Sequence, residues 1–357
     1  MQNDSLELSV LSIFTLFSFF IFFIIQKYSH LLFGNFLLDD DFEKPQAFHT
    51  LNIPRSGGLA SAISFLIFIL LFDLFFSILY IEHLLLSFCL FLIGFFEDIK
   101  LKLTPKTRLA TMAVVLFILI KIFSIKILWI ELNFLQNILS IELFSILFVL
   151  LCFLFIINGS NLIDGFNGLL AIQLLIINSL LLAISIENDT KFYSIFIAGQ
   201  ITILLIFLLF NFPKAKMFMG DGGAYFFGTL TALNVILTNN TNPALSTYFY
   251  CIMLFYLFFE VFFSFFRKIY QKISPVMPDD KHLHMLSYKI LEIKNPGKDN
   301  NYINSLLINF VYLILIIPAF IMKTNVLFCT LWFFALIIIY MSIYFLLYSF
   351  IKKKIDI

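Results

Sequence analysis

Runs of about twenty apolar residues recur from near the start of this chain almost to its end, separated by short polar stretches. Each run is long enough to cross ~30 Å of hydrocarbon as a helix, and a helix satisfies its own backbone groups where no water is present. The pattern predicts eleven spans, near residues 8–26, 57–79, 81–96, 107–125, 138–157, 168–186, 192–210, 223–238, 244–266, 303–322 and 325–350, with ten as the lower count. Short alternating segments of the kind a membrane β-barrel requires are absent. The expected fold is therefore an all-α polytopic membrane protein. One integral-membrane domain over residues 1–357 is expected, because no repeat is evident and the largest inter-span loop, 267–302, is too short and polar to hold a core. The first run lacks a basic leading segment and a small-residue cleavage site, so it reads as a retained helix. Residues 126–137, with Trp129 and Glu131, read as a small interfacial element.

Charge adds direction to this pattern. Alternation puts loops 27–56, 97–106, 158–167, 211–222 and 267–302 on one side with the C-terminus, and every Lys and Arg except Lys121, Lys126, Lys191 and Lys323 falls there. By the positive-inside rule that side is cytoplasmic, the N-terminus is outside and the C-terminus inside. Composition agrees, with 61% hydrophobic residues, a mean hydropathy of +1.01 and a formal net charge of +1. No basic patch suited to nucleic acid stands out. Cys89, Cys152, Cys251 and Cys329 lie within apolar runs without metal-ligand spacing and read as packing residues.

Every unusual polar stretch falls on the cytoplasmic side. Asn158 to Leu169, NGSNLIDGFNGL, gathers Asn161, Asp164, Asn167 and three glycines at a span boundary. Such residues make ordinary turns, but they also supply oxygens and close backbone approach for a metal, phosphate or nucleotide. The third span ends in Glu97 and Asp98, followed by Lys100, Lys102, Lys106 and Arg108. Paired carboxylates suit a divalent cation or a base, and the cations beside them suit phosphate. Asn211 begins NFPKAKMFMGDGGAYFFG, in which Asp221 stands among Gly220, Gly222 and Gly223 where the eighth span starts. Arg55 stands just before Gly57 and Gly58, with Ser56 between, at the second span, where backbone N–H groups suit an anion. His282 and His284 lie two apart in SPVMPDDKHLHMLSYK, which aims both the same way on a loop or strand. No third zinc ligand is near, so phosphate or leaving-group contacts suit them better. Glu260, inside the ninth span, is seven residues from Arg267 and so on the same helical face, and a buried acid there requires a partner.

Two features of usage join these stretches. The chain uses twenty Lys and three Arg, and Arg55, Arg108 and Arg267 all occur here, where a planar fork matches phosphate better than an ammonium does. Nine of the thirteen Gly also lie within the motifs. Together they point to one shared phosphate and metal site.

The assembled motifs resemble the polyprenyl-phosphate sugar-1-phosphate transferase superfamily, the MraY and WecA/TagO-like enzymes, over about residues 44–290. PQAFHTLNIPRSGGL is similar to the opening motif, with its Arg closer to the WecA branch. Glu97 and Asp98 match the acidic pair, Asn161, Asp164 and Asn167 the NxxDGxxGL motif, Asn211 and Asp221 the GD region, and His282 and His284 the histidine loop. The chain departs from the pattern with Glu97 for an Asp, Asn167 for an acid, and Met285 where many members carry a further His. These departures leave the sugar open.

The resemblance implies transfer of a sugar 1-phosphate, an N-acetylhexosamine 1-phosphate by expectation, from a UDP-sugar to undecaprenyl phosphate at the cytoplasmic face of a bacterial inner membrane. UMP would be released and a lipid-linked envelope glycan begun. It implies Mg²⁺, with Mn²⁺ as substitute, on Asp221 and Asp98, and catalytic roles for Glu97, Asp98, Asp164 and Asp221. Substrate contacts fall to Arg55, Arg108, Asn161, Asn167, Asn211, Arg267, His282 and His284. Membrane lipid and a second copy in a homodimer are the expected partners, and nucleic acid is not. Transfer of phospho-N-acetylmuramoyl-pentapeptide and transport of a lipid-linked sugar are the alternatives. Polar residues at helix breaks also build transport sites, but near the bilayer midplane.

Overall fold

A computed structural model describes residues 2–32, 36–39, 52–101, 103–275, 277 and 279–355. Residues 45–51 of the opening motif lie outside the described residues. Among the described residues the regular structure is helical, apart from a two-residue antiparallel pairing of β1 (Leu38–Asp39) with β2 (Ile53–Pro54) ahead of the second helix.

The helices are α1 (Gln2–Tyr28), α2 (Gly57–Phe76), α3 (Ile81–Asp98), α4 (Pro105–Ile122), α5 (Asn133–Leu139), α6 (Glu142–Ile163) and α7 (Leu169–Glu187). They continue as α8 (Lys191–Asn211), α9 (Gly220–Thr241), α10 (Thr247–Met253), α11 (Phe255–Tyr270), α12 (Leu283–Lys294), α13 (Asn300–Ile321) and α14 (Val326–Ile355). Among the described residues, seven helices are long and apolar enough to cross a membrane: α1, α2, α6, α7, α8, α13 and α14. The pair α10 and α11 makes an eighth if taken as one span bent by 75° at Leu254. The chain is thus an all-α polytopic membrane protein. Three further expected spans are also helices. Of these, α3 carries Glu82, Glu97 and Asp98, α4 carries Lys106, Arg108 and Lys121, and α9 opens on GDGG. The segment expected at the interface overlaps the short α5, and its start is tied to α9 by the Asn240 side chain on Lys126 and Leu128.

Helix α9 is the centre of the bundle. Nearly all its residues from Gly220 to Asn239 are buried, and it packs on α2, α3 and α6. Glycine makes the closest of these contacts, because a Cβ on Gly58 would stand 2.3 Å from the Gly223 nitrogen and one on Gly94 2.5 Å from the Asp221 carbonyl. These approaches bring the ends of α2, α3 and α9 together at one end of the bundle. The opposite end is marked by ion pairs between Lys191 and Glu7 and between Lys323 and Glu187. The lysines that the charge count sets apart therefore share the end away from the motifs.

Candidate active site

Backbone pairing builds the site first. The Gly57 and Gly58 N–H groups donate to the Phe218 and Met219 carbonyls, and Phe218 N–H donates to the Pro54 carbonyl, so the loops before α2 and α9 run as one unit. Gly220, with φ of +76°, turns the chain into α9. The first turn of α9 then presents its free N–H groups to Asp98 at the end of α3: Asp221 N–H donates to Oδ1 at 2.9 Å and Gly222 N–H to Oδ2 at 2.8 Å. A carboxylate at a helix N-terminus satisfies otherwise orphaned donors and meets the positive end of the helix dipole. Asp98 is only 2% exposed.

Asp221, one residue into α9, points its carboxylate toward two guanidinium groups. Arg108 Nη1 lies 2.7 Å from Oδ2 and Arg55 Nη1 lies 4.0 Å from Oδ1. Arg55 also stands 3.9 Å from Asp98 Oδ1 and donates from Nε and Nη2 to Asp39. Asp164 caps the end of α6 beside them. Burial raises its carboxyl, the Asp221 charge raises it further, and Arg55 and the Gly220 N–H act against both, leaving it at about 7. Asp98, Asp164 and Asp221, far apart in the chain, therefore converge with Arg55 and Arg108. Glu97 sits half-buried at the rim, accepting a long hydrogen bond from Leu103 N–H. Adjacent helix positions diverge by about 100°, so Glu97 and Asp98 face different surroundings.

A second cluster is built around the histidines. His282 Nδ1 lies 3.0 Å from Glu260 Oε1 and its Nε2 3.2 Å from Asp279 Oδ1. The partner that buried Glu260 requires is thus His282, while Arg267 donates from Nη2 to both oxygens of Asp279. Arg267 and His282, with Lys268, hold Asp279 below the usual carboxylate range although burial alone would raise it. Arg267 Nη1 donates further to the Lys281 carbonyl and the Tyr344 hydroxyl. His282 and His284 do face the same way, with rings 5.6 Å apart and 4° from parallel. His284 is fully buried. Burial pushes it down to about 3, its Nδ1 meets the Tyr256 hydroxyl at 3.2 Å, and its Nε2 has no hydrogen-bond partner among the described residues. The ring of Phe166, in the central motif, packs edge-on to it at 5.8 Å.

The remaining expected residues divide. Asn161 lines a cleft of about 580 Å³ between α4, α6 and α11, with Arg108, Asn158, Lys268 and His282 at its polar end. Its walls are apolar, among them Leu151, Phe262 and Phe265, all well exposed on the outer surface of the bundle. Asn167 and Asn211 instead lock loops. Asn211 Oδ1 accepts from Gly168 N–H and its Nδ2 donates to the Met217 carbonyl, while Asn167 Nδ2 donates to the Pro213 carbonyl. Asp39, Tyr256, Asp279, Tyr340 and Tyr344 joined these networks without any sequence signal of their own. Asp39 and Asp279 merely sit in polar loops, and the tyrosines look like apolar filler.

Among the described residues, no group of three or more His, Cys, Asp or Glu is arranged to hold a metal ion. The donor chemistry nevertheless suits one kind of ion. Mg²⁺ is usually held by one or two carboxylates and completes its shell with water and substrate phosphate, and Asp221 and Asp164 offer such a pair of hard oxygen ligands. Asp98 is less suited, since both its oxygens already accept backbone N–H groups.

Comparison with known proteins gives this geometry a context. The family described as "Glycosyl transferase family 4" matches residues 80–239. Undecaprenyl-phosphate alpha-N-acetylglucosaminyl 1-phosphate transferase of Thermotoga maritima is 27% identical over 200 residues, 56% of this chain and 59% of that protein. A probable undecaprenyl-phosphate N-acetylglucosaminyl 1-phosphate transferase of Bacillus subtilis is 24% identical over 298 residues, 83% of this chain and 80% of that protein. Phospho-N-acetylmuramoyl-pentapeptide-transferase of Leuconostoc citreum is 39% identical over 80 residues, 22% of this chain and 25% of that protein.

Proposed function

We propose, on the premise that this chain carries a glycosyl transferase family 4 domain over residues 80–239, that it transfers a sugar 1-phosphate from a UDP-sugar to undecaprenyl phosphate. The observation that carries the reading is the convergence of Asp98, Asp164, Asp221, Arg55 and Arg108, with Arg108 also lining an apolar cleft open to the bundle surface. An anionic group meets the guanidiniums, and a long apolar tail leaves along the cleft.

The chemistry follows from these positions. An oxygen of the lipid phosphate attacks the sugar-bearing phosphorus, the bond from that phosphorus to the bridging oxygen breaks, and UMP leaves with both electrons of the bond. The products are UMP and a lipid diphosphate sugar. Arg108 and Arg55 balance charge on the phosphates, a role in which a planar fork has the advantage. Asp98 fixes the first turn of α9 and so aims Asp221. Mg²⁺ held by Asp221 and Asp164 would supply further neutralisation of the diphosphate. Asn161 and His282 line the cleft where the nucleotide sugar and lipid phosphate meet. The distribution of Lys and Arg supports the reading that this end of the bundle faces the cytoplasm at the inner membrane, in a protein of eleven spans. The glucosaminyl relatives and the Arg of the opening motif favour an N-acetylhexosamine over a muramoyl-pentapeptide donor. A transporter would hold such groups near mid-membrane, whereas these lie at one end of the helices.

The test is a panel of UDP-N-acetylhexosamine donors incubated with purified protein, Mg²⁺ and undecaprenyl phosphate. UMP release with one donor and formation of the matching lipid diphosphate sugar are expected. No release with any donor, alongside movement of a lipid-linked sugar across vesicles, would overturn the reading in favour of transport.

A further inference from the structure

The histidine cluster is held from outside the motif region. Tyr340 and Tyr344 lie on α14, some 100 residues past the family match, in a helix whose composition otherwise marks only a membrane span. Tyr340 donates to Glu260 Oε2 at 2.6 Å and Tyr344 accepts from Arg267 Nη1 at 2.9 Å. Both tyrosines are buried. Glu260 is 1% exposed, and its other oxygen accepts from Leu283 N–H at 3.2 Å and contacts His282 Nδ1. A carboxylate in such surroundings is retained only while its lone pairs are satisfied. Tyr340 is the one donor to Oε2 found among the described residues. Without that hydroxyl the Glu260 carboxylate has reason to rotate or take up a proton, and either change is passed to His282. His282 in turn lines the cleft.

We propose that Tyr340 is a positioning residue for the transfer reaction: through Glu260 it fixes the ring of His282 at the cleft, with Tyr344 steadying Arg267 and Asp279 on the other side of the same ring. The C-terminal helix is then part of the machinery that sets the site and not only a membrane anchor. This rests on the transferase reading above. A hydroxyl on an apolar helix needs a partner in any case, but Tyr340 packs against Phe259 and Phe263 at 4.9 and 5.4 Å and would fill its place equally well as Phe.

The test compares Tyr340→Phe, Tyr344→Phe and Tyr348→Phe in the full-length protein. Tyr348 stacks on Tyr344 without entering the network and serves as the control. Tyr340→Phe should lower kcat about tenfold while leaving the KM for undecaprenyl phosphate within about twofold, because the apolar cleft walls are untouched. Tyr344→Phe should cost no more than about threefold, since Arg267 keeps the charge-assisted bonds from Nη2 to Asp279. Unchanged kcat in Tyr340→Phe would overturn the proposal. So would a loss matched by Tyr348→Phe, or one that moves kcat, KM and thermal midpoint together, since packing alone would then explain it. A readout free of turnover separates this from failure of the transferase reading. With five His in the chain, the ¹⁵N ring signals of His282, assigned through His282→Gln, should shift in Tyr340→Phe and stay in place in Tyr348→Phe. If they do not shift, the positioning role is wrong even in an active transferase; if they shift in a protein inactive with every donor, the role stands and the reaction is another.

Discussion

Asp98 and Asp221 are joined through the backbone: the Asp98 carboxylate accepts the N–H of Asp221, so one acid holds the peptide from which the other projects. The two carboxylates therefore differ in kind. Asp98→Asn leaves one oxygen to accept but turns an amide donor toward the Gly222 N–H, and it removes a negative charge from the start of α9. A buried donor left unmatched costs about 1–3 kcal/mol. Asp98→Asn should thus lower the thermal midpoint and activity together. Asp221→Asn, which changes only the projecting group, should abolish UMP release with the midpoint nearly unchanged. Equal destabilisation in both variants would contradict this division.

Asp164 gives the site a pH dependence. Its carboxyl, raised to about 7 chiefly by burial and then by Asp221, is protonated in the folded protein at pH values where the unfolded chain is ionised. Without metal, its contribution to stability is present below the unfolded value of about 4 and is lost as pH rises through about 7. A cation needs the ionised form, so Mg²⁺ should stabilise the protein strongly at about pH 8 and little at about pH 6. Thermal midpoints with and without Mg²⁺ across that range are the measurement. A metal-induced shift independent of pH would remove Asp164 from the ion's surroundings.

Arg108 reaches Asp221 from the mouth of α4 and also lines the cleft. Arg108→Lys keeps the charge but loses the planar fork, so the KM for the UDP-sugar should rise about tenfold with stability hardly altered, because the side chain is partly exposed. Steady-state kinetics with donor varied at saturating acceptor decides it. An unchanged donor KM would place Arg108 outside the substrate's reach.

Much of this was open to sequence reasoning, and the reasons are specific. Apolar runs of membrane length announced the helices, and the lone lysines at 121, 126, 191 and 323 marked the opposite side, where Lys191 and Lys323 find Glu7 and Glu187. Clustered glycines announced close approach, as Gly58 against Gly223 shows. The 75° bend at Leu254 was not legible, because neither Pro nor Gly marks it and residues 244–266 read as one span. Nor was the cap from Asp98 to Gly222, which bridges helices distant in sequence. Nor were the loop contacts of Asn167 and Asn211, because loop-locking and ligand-binding amides have the same composition. Tyr340 and Tyr344 were hidden by an apolar helix in which a hydroxyl leaves the hydrophobic pattern unchanged.

The cleft offers the last test, because its two ends should fail separately. Leu151 lies ten positions before Asn161 on α6, about 15 Å along the helix axis, and both line the same cleft. A group at Leu151 therefore meets the far part of a long acceptor tail and nothing of the reacting phosphates. Leu151→Trp narrows the passage without placing charge against lipid, where it would itself destabilise the helix by about 2.5–3.5 kcal/mol. The KM for undecaprenyl phosphate should rise roughly five- to tenfold, since each buried methylene displaced is worth about 0.8 kcal/mol. The donor KM should stay constant, and a prenyl phosphate of one or two isoprene units, too short to reach Leu151, should be used as before. If short and long acceptors lose activity to the same extent, the tail does not run along this cleft and another groove must carry it.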